Sequence, residues 1–168
     1  MSQVELEYEK LKQEFIKSLE GLGSEDVGSE RGVISTSMDD HVTARRMRLL
    51  SDELTMYGWT NRDSRKAKQI SVNPHVSVVI EYIQIDGLAS IEGHPLDESK
   101  FLEIIHKKLP HRYEALVKNW STASNRVVLK VLPKRVALFK YADPVADIAS
   151  GLYVLDVDKR KAYRQEYS

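Results

Sequence analysis

The chain has 168 residues, 25 Lys and Arg against 25 Asp and Glu, a formal net charge of zero and no cysteine. One domain spanning residues 1–168 is expected; the charge balance argues against nucleic-acid binding, and the lack of thiols excludes disulfides, iron–sulfur clusters, thiolate zinc sites and cysteine nucleophiles. No apolar run reaches the length of a membrane span, and the start carries glutamates where a signal peptide needs a basic end and an apolar run, so a cytoplasmic protein without a membrane partner is expected.

Residues 3–22 predict an amphipathic helix: Val4, Tyr8, Leu11, Phe15, Leu19 and Leu22 recur three or four apart, and Gly21 and Gly23 end it. Its apolar stripe is expected to pack on the rest of the domain. Residues 23–30 read as a polar loop, Arg31 to Met38 as the first strand and Asp39-Asp40 as a turn. Val42 to Leu50 alternates as a strand, placing Thr43, Arg45, Met47 and Leu49 on one face and Ala44, Arg46, Arg48 and Leu50 on the other. Asp52 and Glu53 supply a turn and Leu54 to Thr60 the returning arm. Antiparallel pairing of these two arms would lay Arg46 close to the segment that follows.

That segment, Trp59 to Lys68, reads WTNRDSRKAK: a strand end, a turn and the opening of a short helix. Asp63 or Ser64 can serve as N-cap, and Arg65, Lys66 and Lys68 can form a solvated helix face. The same arrangement suits an anion. The first N–H groups of a helix lack intrahelical partners and carry the positive end of its dipole, and an Arg fork and a Lys ammonium beside them add charge-assisted hydrogen bonds.

Asn73-Pro74 stops the short helix. His75 to Ile85 is expected to be a central strand, Asp86-Gly87 a hairpin turn and Leu88 to His94 the return arm. A helix capped by Asp97 carries Phe101, Ile104, Ile105 and Leu109, and a second follows Pro110 with Tyr113, Leu116 and Val117. Arg126 to Leu132 and Arg135 to Tyr141 read as two strands parted by Pro133-Lys134. Residues 142–151 read as loop, and Leu152 to Asp156 with Lys161 to Gln165 as a terminal hairpin. Repeated hairpins with short helices between them predict a mainly β fold, a closed or half-closed antiparallel barrel with an N-terminal helix and helical inserts.

The sequence resembles the flavin-binding split barrels of pyridoxamine-phosphate oxidase and the related general stress proteins, most clearly from Gly32 to about Ile80. There a strand Arg-Met-Val-Leu-Leu is followed by a hairpin, an aromatic-Thr-Asn segment, Ser-Arg-Lys, a short helix and Asn-Pro. This chain has Arg46-Met47-Arg48-Leu49-Leu50, Trp59-Thr60-Asn61, Ser64-Arg65-Lys66 and Asn73-Pro74 in that order. The resemblance implies a split β-barrel holding FMN between two subunits of a homodimer. It also implies Arg46, Arg65 and Lys66 at the phosphate, Trp59 and Thr60 alongside the ring system, and Phe139 as the aromatic given by the second subunit; Met47, Arg48, Leu49 and Ser64, in the same matching segments, are further expected cofactor-binding residues, with Arg48 lacking a counterpart in the family pattern. A Gln near the flavin ring in the oxidases falls at Leu88 in the best register. The Arg-x-His segment that grips the oxidase substrate has no counterpart after Lys140, where the chain reads YADPVADIAS. The resemblance therefore implies the cofactor more than vitamin B6 chemistry.

The five histidines show neither H-x-x-x-H nor H-E-x-x-H spacing, no metal site is expected, and neither a G-x-S-x-G elbow nor a glycine-rich phosphate loop is present. Two function classes follow. One is an FMN-dependent oxidoreductase acting on a small substrate, with chemistry on the flavin and no catalytic side chain assigned. The other is a stress-associated module that binds flavin, haem or deazaflavin without turnover.

Overall fold

The computed structural model describes residues 3–21, 32–143 and 148–166. Ten strands and four helices alternate along them: β1 (Gln3–Leu6), α1 (Tyr8–Leu19), β2 (Gly32–Met38), β3 (His41–Met47), β4 (Leu50–Asp52), β5 (Thr55–Asn61), α2 (Arg65–Val72), β6 (His75–Ile80), β7 (Ile83–Ile91), α3 (Ser99–Lys108), α4 (Tyr113–Ser121), β8 (Arg126–Asp143), β9 (Ile148–Asp156) and β10 (Lys161–Gln165). All strand pairs are antiparallel, in the order β1-β10-β9-β8-β7-β6-β2-β3, with β4 on β5 and β5 on β8. The sheet is not closed, and the split-barrel expectation holds.

The split originates in β8. Its first half pairs with β5 (Arg126 to Val131) and its second half with β9 (from Arg135), while β7 runs beside both. One strand thus serves two arms of the sheet. The two strands expected on either side of Pro133-Lys134 are one. Pro133 lies opposite Gly87 and Arg135 opposite Asp86, so Lys134 is the extra residue of a bulge. A bulge accommodates a proline that has no ladder N–H to give. Asp86-Gly87, expected as a hairpin turn, is the other side of this bulge. The actual β6–β7 turn is at Glu81-Tyr82, with Glu81 at φ 50.

The N-terminal helix is shorter than residues 3–22. Gln3–Leu6 is extended and adds to the sheet edge on β10, and α1 begins only at Tyr8. Val4 is accordingly half exposed, while Leu11, Phe15 and Leu19, spaced by four, are buried against Leu155 and Ala162 of β9 and β10. Each such side chain contributes about 1.5–3 kcal/mol by leaving water. Leu22, Gly23, the polar loop of 23–30 and Arg31 lie outside the described residues. Strand structure also extends into the expected loop of 142–151, since β8 runs to Asp143 and β9 starts at Ile148.

The barrel interior holds the larger core, with Ile34, Val78, Ile85, Val136 and Leu155 in one row across five strands. A second core lies on the other face of β5. Tyr57 and Trp59 point there, under Phe101, Ile104, Ile105, Leu109 and Trp120 of the helical insert. Successive residues of β5 therefore serve two different cores.

Candidate functional site

Helix α2 forms where the sequence changes from a strand pattern to Ser64 followed by a run without proline or glycine. Ser64 is extended (φ −63, ψ 150) and its hydroxyl accepts from the Ala67 N–H at 3.4 Å, which makes Ser64, not Asp63, the N-cap. The Thr60 hydroxyl, buried at the end of β5, is 3.1 Å from the Ser64 hydroxyl. Strand end and helix start are thus tied by side chains as well as by the three-residue link. Arg65 is exposed and Lys66 half-buried on the first turn.

The strand cation that meets this helix is Arg45. Its Nη1 donates to Thr36 Oγ1 at 2.6 Å and its Nη2 to Gln69 Oε1 at 3.1 Å and to the Thr43 hydroxyl. Gln69 is buried and its Oε1 also accepts from Thr36 (2.7 Å) and Thr43 (2.8 Å). On a helix, Gln69 shares a face with Arg65 and Lys66, four and three residues earlier. Burial, and after it the charge of Arg65, lowers the pKa of Arg45; burial, and after it the charge of Arg45, lowers that of Lys66. Among the described residues no carboxylate lies within ion-pair distance of Arg45, Arg65 or Lys66. Three positive charges gather with no acid to balance them among the described residues.

This corrects the expected route to convergence. β3 pairs with β2 and not with β5; the hairpin turning at Glu53 joins the short β4 to β5. Arg46 is exposed on the outward face, in one row with Val33, Val79 and Gln84, whereas Arg45 shares its inward face with Ile34. Alternation had placed the two arginines on opposite faces. The sequence alone does not say which face turns toward α2.

The remaining residues fall in three places. Met47 and Leu49 are buried in the main core, so what they can offer a ligand is backbone. That backbone runs close to β5: a Cβ on Gly58 would stand 2.9 Å from Met47 Cε and 3.0 Å from the Arg48 carbonyl. The Met47–Leu49 segment is therefore a neighbour of Gly58 on β5. The Trp59 ring belongs to the second core, edge-on to Phe101 at 6.2 Å and to Trp120 at 5.6 Å. Phe139 is elsewhere, on the outward face of β8, lining a cavity of about 410 Å³ with Val79, Tyr82, Gln84 and Leu152. Leu88 lines a different cavity, and Gln84 lines the one that holds Phe139. Among the described residues no group of three or more His, Cys, Asp or Glu could hold a metal ion, and no helix is long and apolar enough to cross a membrane.

A family model described as pyridoxamine 5'-phosphate oxidase matches residues 27–140. No curated protein matches the chain in sequence. Among solved structures, general stress protein 26 from Bacillus anthracis is 27% identical, with a TM-score of 0.54 over 75% of this chain and 91% of that one. A candidate pyridoxamine 5'-phosphate oxidase from Listeria innocua is 26% identical, with a TM-score of 0.54 over 75% and 95%. An FAD-binding protein from Mesorhizobium loti, 17% identical, shares the fold with a TM-score of 0.51 over 81% and 96%.

Proposed function

Because this chain belongs to the pyridoxamine 5'-phosphate oxidase family, we propose that it binds FMN at the start of α2 and acts as a flavin-dependent oxidoreductase on a small substrate. The observation that carries the reading is the gathering of Arg65, Lys66 and Arg45 at a Ser64-capped helix start, with no balancing carboxylate among the described residues. Such a donor set fits a phosphate ester: the helix end offers N–H groups, Thr60 and Ser64 offer hydroxyls, and the cations offer charge-assisted bonds. Arg46 projects from the opposite face of β3, in a row with Val33 and Val79, and stands outside this cluster.

Bound there, FMN supplies hydride and electron transfer through its ring. The chain's part is to hold and orient it. The Met47–Leu49 backbone, pressed against Gly58, offers a flat polar edge for a ring system, with the buried Met47 and Leu49 side chains keeping that edge rigid. A homodimer completes the site in this reading. The outward face of one protomer carries Val79 and Tyr82, both exposed, beside Gln84 and Phe139, and that face would cover the flavin held by its partner.

The absorption spectrum of the purified protein tests the cofactor, followed by titration of the apoprotein with FMN. A flavin spectrum and saturable FMN binding are expected; a spectrum of haem, or no FMN binding, would overturn the assignment. The missing Arg-x-His segment after Lys140 favours a second reading, a flavin-binding module without turnover. Anaerobic mixing of the loaded protein with a nicotinamide donor separates the two, since bleaching at a useful rate belongs only to the enzyme.

A further inference from the structure

We propose that the hollow on the outward face of β7 and β8 takes the small substrate, and that this substrate is a flat apolar ring system with one carboxylate, held by Arg135. The substrate role rests on the reading above, in which this face lies against the flavin of the partner protomer. The hollow has a cause in the sequence. Arg135, Ala137 and Phe139 alternate along β8 and so share one face, and Ala137 stands opposite Gln84 of β7. A methyl group between two large side chains leaves a cavity of about 410 Å³, with the buried Ala137 as its floor. Volume and lining match a small-molecule site, which is mostly apolar with a few placed polar groups. Val79, Tyr82, Phe139 and Leu152 give the apolar walls. Two of these are aromatic, and their faces and edges favour a conjugated ring. From Arg135 to Phe139 is four residues of strand, about 13 Å, room for a ring system with an acid at one end.

Asp86 sets the polar groups. It accepts from the Ser77 hydroxyl and from Gln84 Nε2, both at 2.9 Å, and from Arg135 Nη1 at 3.4 Å. An ionised carboxylate only accepts, so the Gln84 amide turns its nitrogen to Asp86 and keeps its carbonyl for a donor on the ligand. Arg135 spends one long contact of a five-donor fork, and that fork matches the two oxygens of a second carboxylate. Glu81 lies in the turn at the other end of the hollow. It repels an anion there, so a singly charged ligand is oriented with its acid toward Arg135. With Asp86 already beside Arg135, a phosphate dianion suits the hollow less than a carboxylate.

The test titrates the full-length protein, as apoprotein and loaded with FMN, with naphthoate and its neutral counterpart naphthalenemethanol, by calorimetry. The parent is expected to bind the carboxylate about tenfold or more tighter than the alcohol in both forms. Arg135→Gln removes the charge and keeps a polar side chain; the two probes should then bind alike. Ala137→Leu fills the floor and should weaken both probes, which keeps the test open if Arg135→Gln folds poorly. Equal binding of the two probes by the parent, a preference that survives in Arg135→Gln, or no binding of either, overturns the proposal. Displacement of naphthoate by FMN overturns it too, because the hollow would then hold the flavin ring itself. A parent that binds naphthoate but no FMN removes the flavin reading and leaves the carboxylate site standing.

Discussion

The Arg45 guanidinium and the side-chain carbonyl of Gln69 meet at 3.1 Å across the gap between β3 and α2. That contact ties the edge of the sheet to a helix 24 residues further along the chain. Gln69 Oε1 accepts from Arg45, Thr36 and Thr43 alike, and the residue is buried, so it is the hub on which the orientation of the helix start depends.

Gln69→Leu removes that hub while leaving its donors in place. A buried donor without a partner costs about 1–3 kcal/mol, more when it is charged. We expect a loss of about 2–4 kcal/mol in urea denaturation. A loss under about 0.5 kcal/mol, the scatter of ordinary surface changes, would show that water or a rearranged Arg45 replaces the bond.

The cations should weigh differently in ligand binding. Arg65→Ala and Lys66→Ala should each cost FMN affinity about 1.5–3 kcal/mol, roughly ten- to more than a hundredfold. Arg46→Ala, on the face of β3 turned away from α2, should cost less than either, and Arg48→Ala less than Arg46→Ala. Calorimetric titration of the four variants checks the order. If all four bind FMN as the parent does, the phosphate lies elsewhere.

How much of this site was legible beforehand depends on the kind of signal. Ser64-Arg65-Lys66 is local: a cap and a helix start are written in adjacent residues, and the helix appears from Arg65 as expected. Alternation also sorted Arg45 from Arg46 correctly. What it lacked was the pairing of β3, because a strand's partner is decided by contacts far along the chain, here β2 and not β5. The same limit hid the β6–β7 turn. Asp86-Gly87 is a strong hairpin signal taken alone, yet Gly87 serves a bulge imposed by Pro133 on another strand. Gln69 gave no signal, since a glutamine on a short polar helix reads as a surface residue until its donors are in view.

Lys66 gives the site a pH dependence whose sign can be worked out. Its folded pKa is lowered from 10.5, first by burial and then by Arg45. Between that lowered value and 10.5 the unfolded chain binds more protons than the folded one, so Lys66 makes stability rise with pH across the window. Ligand binding runs the other way, because a phosphate dianion holds the ammonium protonated. FMN affinity should therefore fall as pH climbs through the lowered pKa, approaching about tenfold per pH unit above it. In Lys66→Arg the side chain stays charged and that slope should vanish. Fluorescence titrations from neutral to alkaline pH would detect it, and an unchanged slope in Lys66→Arg would assign the dependence to another group.

Two glycines separate the needs of the barrel from those of the site. A Cβ on Gly87 would lie 2.3 Å from the Leu132 carbonyl oxygen, a backbone atom that can yield only if the β7–β8 bulge opens. A Cβ on Gly58 would lie 2.9 Å from the flexible end of Met47 and 3.0 Å from the Arg48 carbonyl. Overpacking typically costs about 1–3 kcal/mol, so Gly87→Ala should fall at or beyond the upper end and Gly58→Ala near the lower. Their binding effects should be reversed. Opening the bulge leaves the contact of β5 with Met47 and Arg48 unstrained, whereas Gly58→Ala pushes the Arg48 backbone away from β5 and should weaken FMN more per unit of stability lost. Urea melts paired with FMN titrations on both variants give that comparison. If Gly87→Ala weakens FMN more than Gly58→Ala after correction for the unfolded fraction, the ring system does not lie along the Met47–Leu49 backbone.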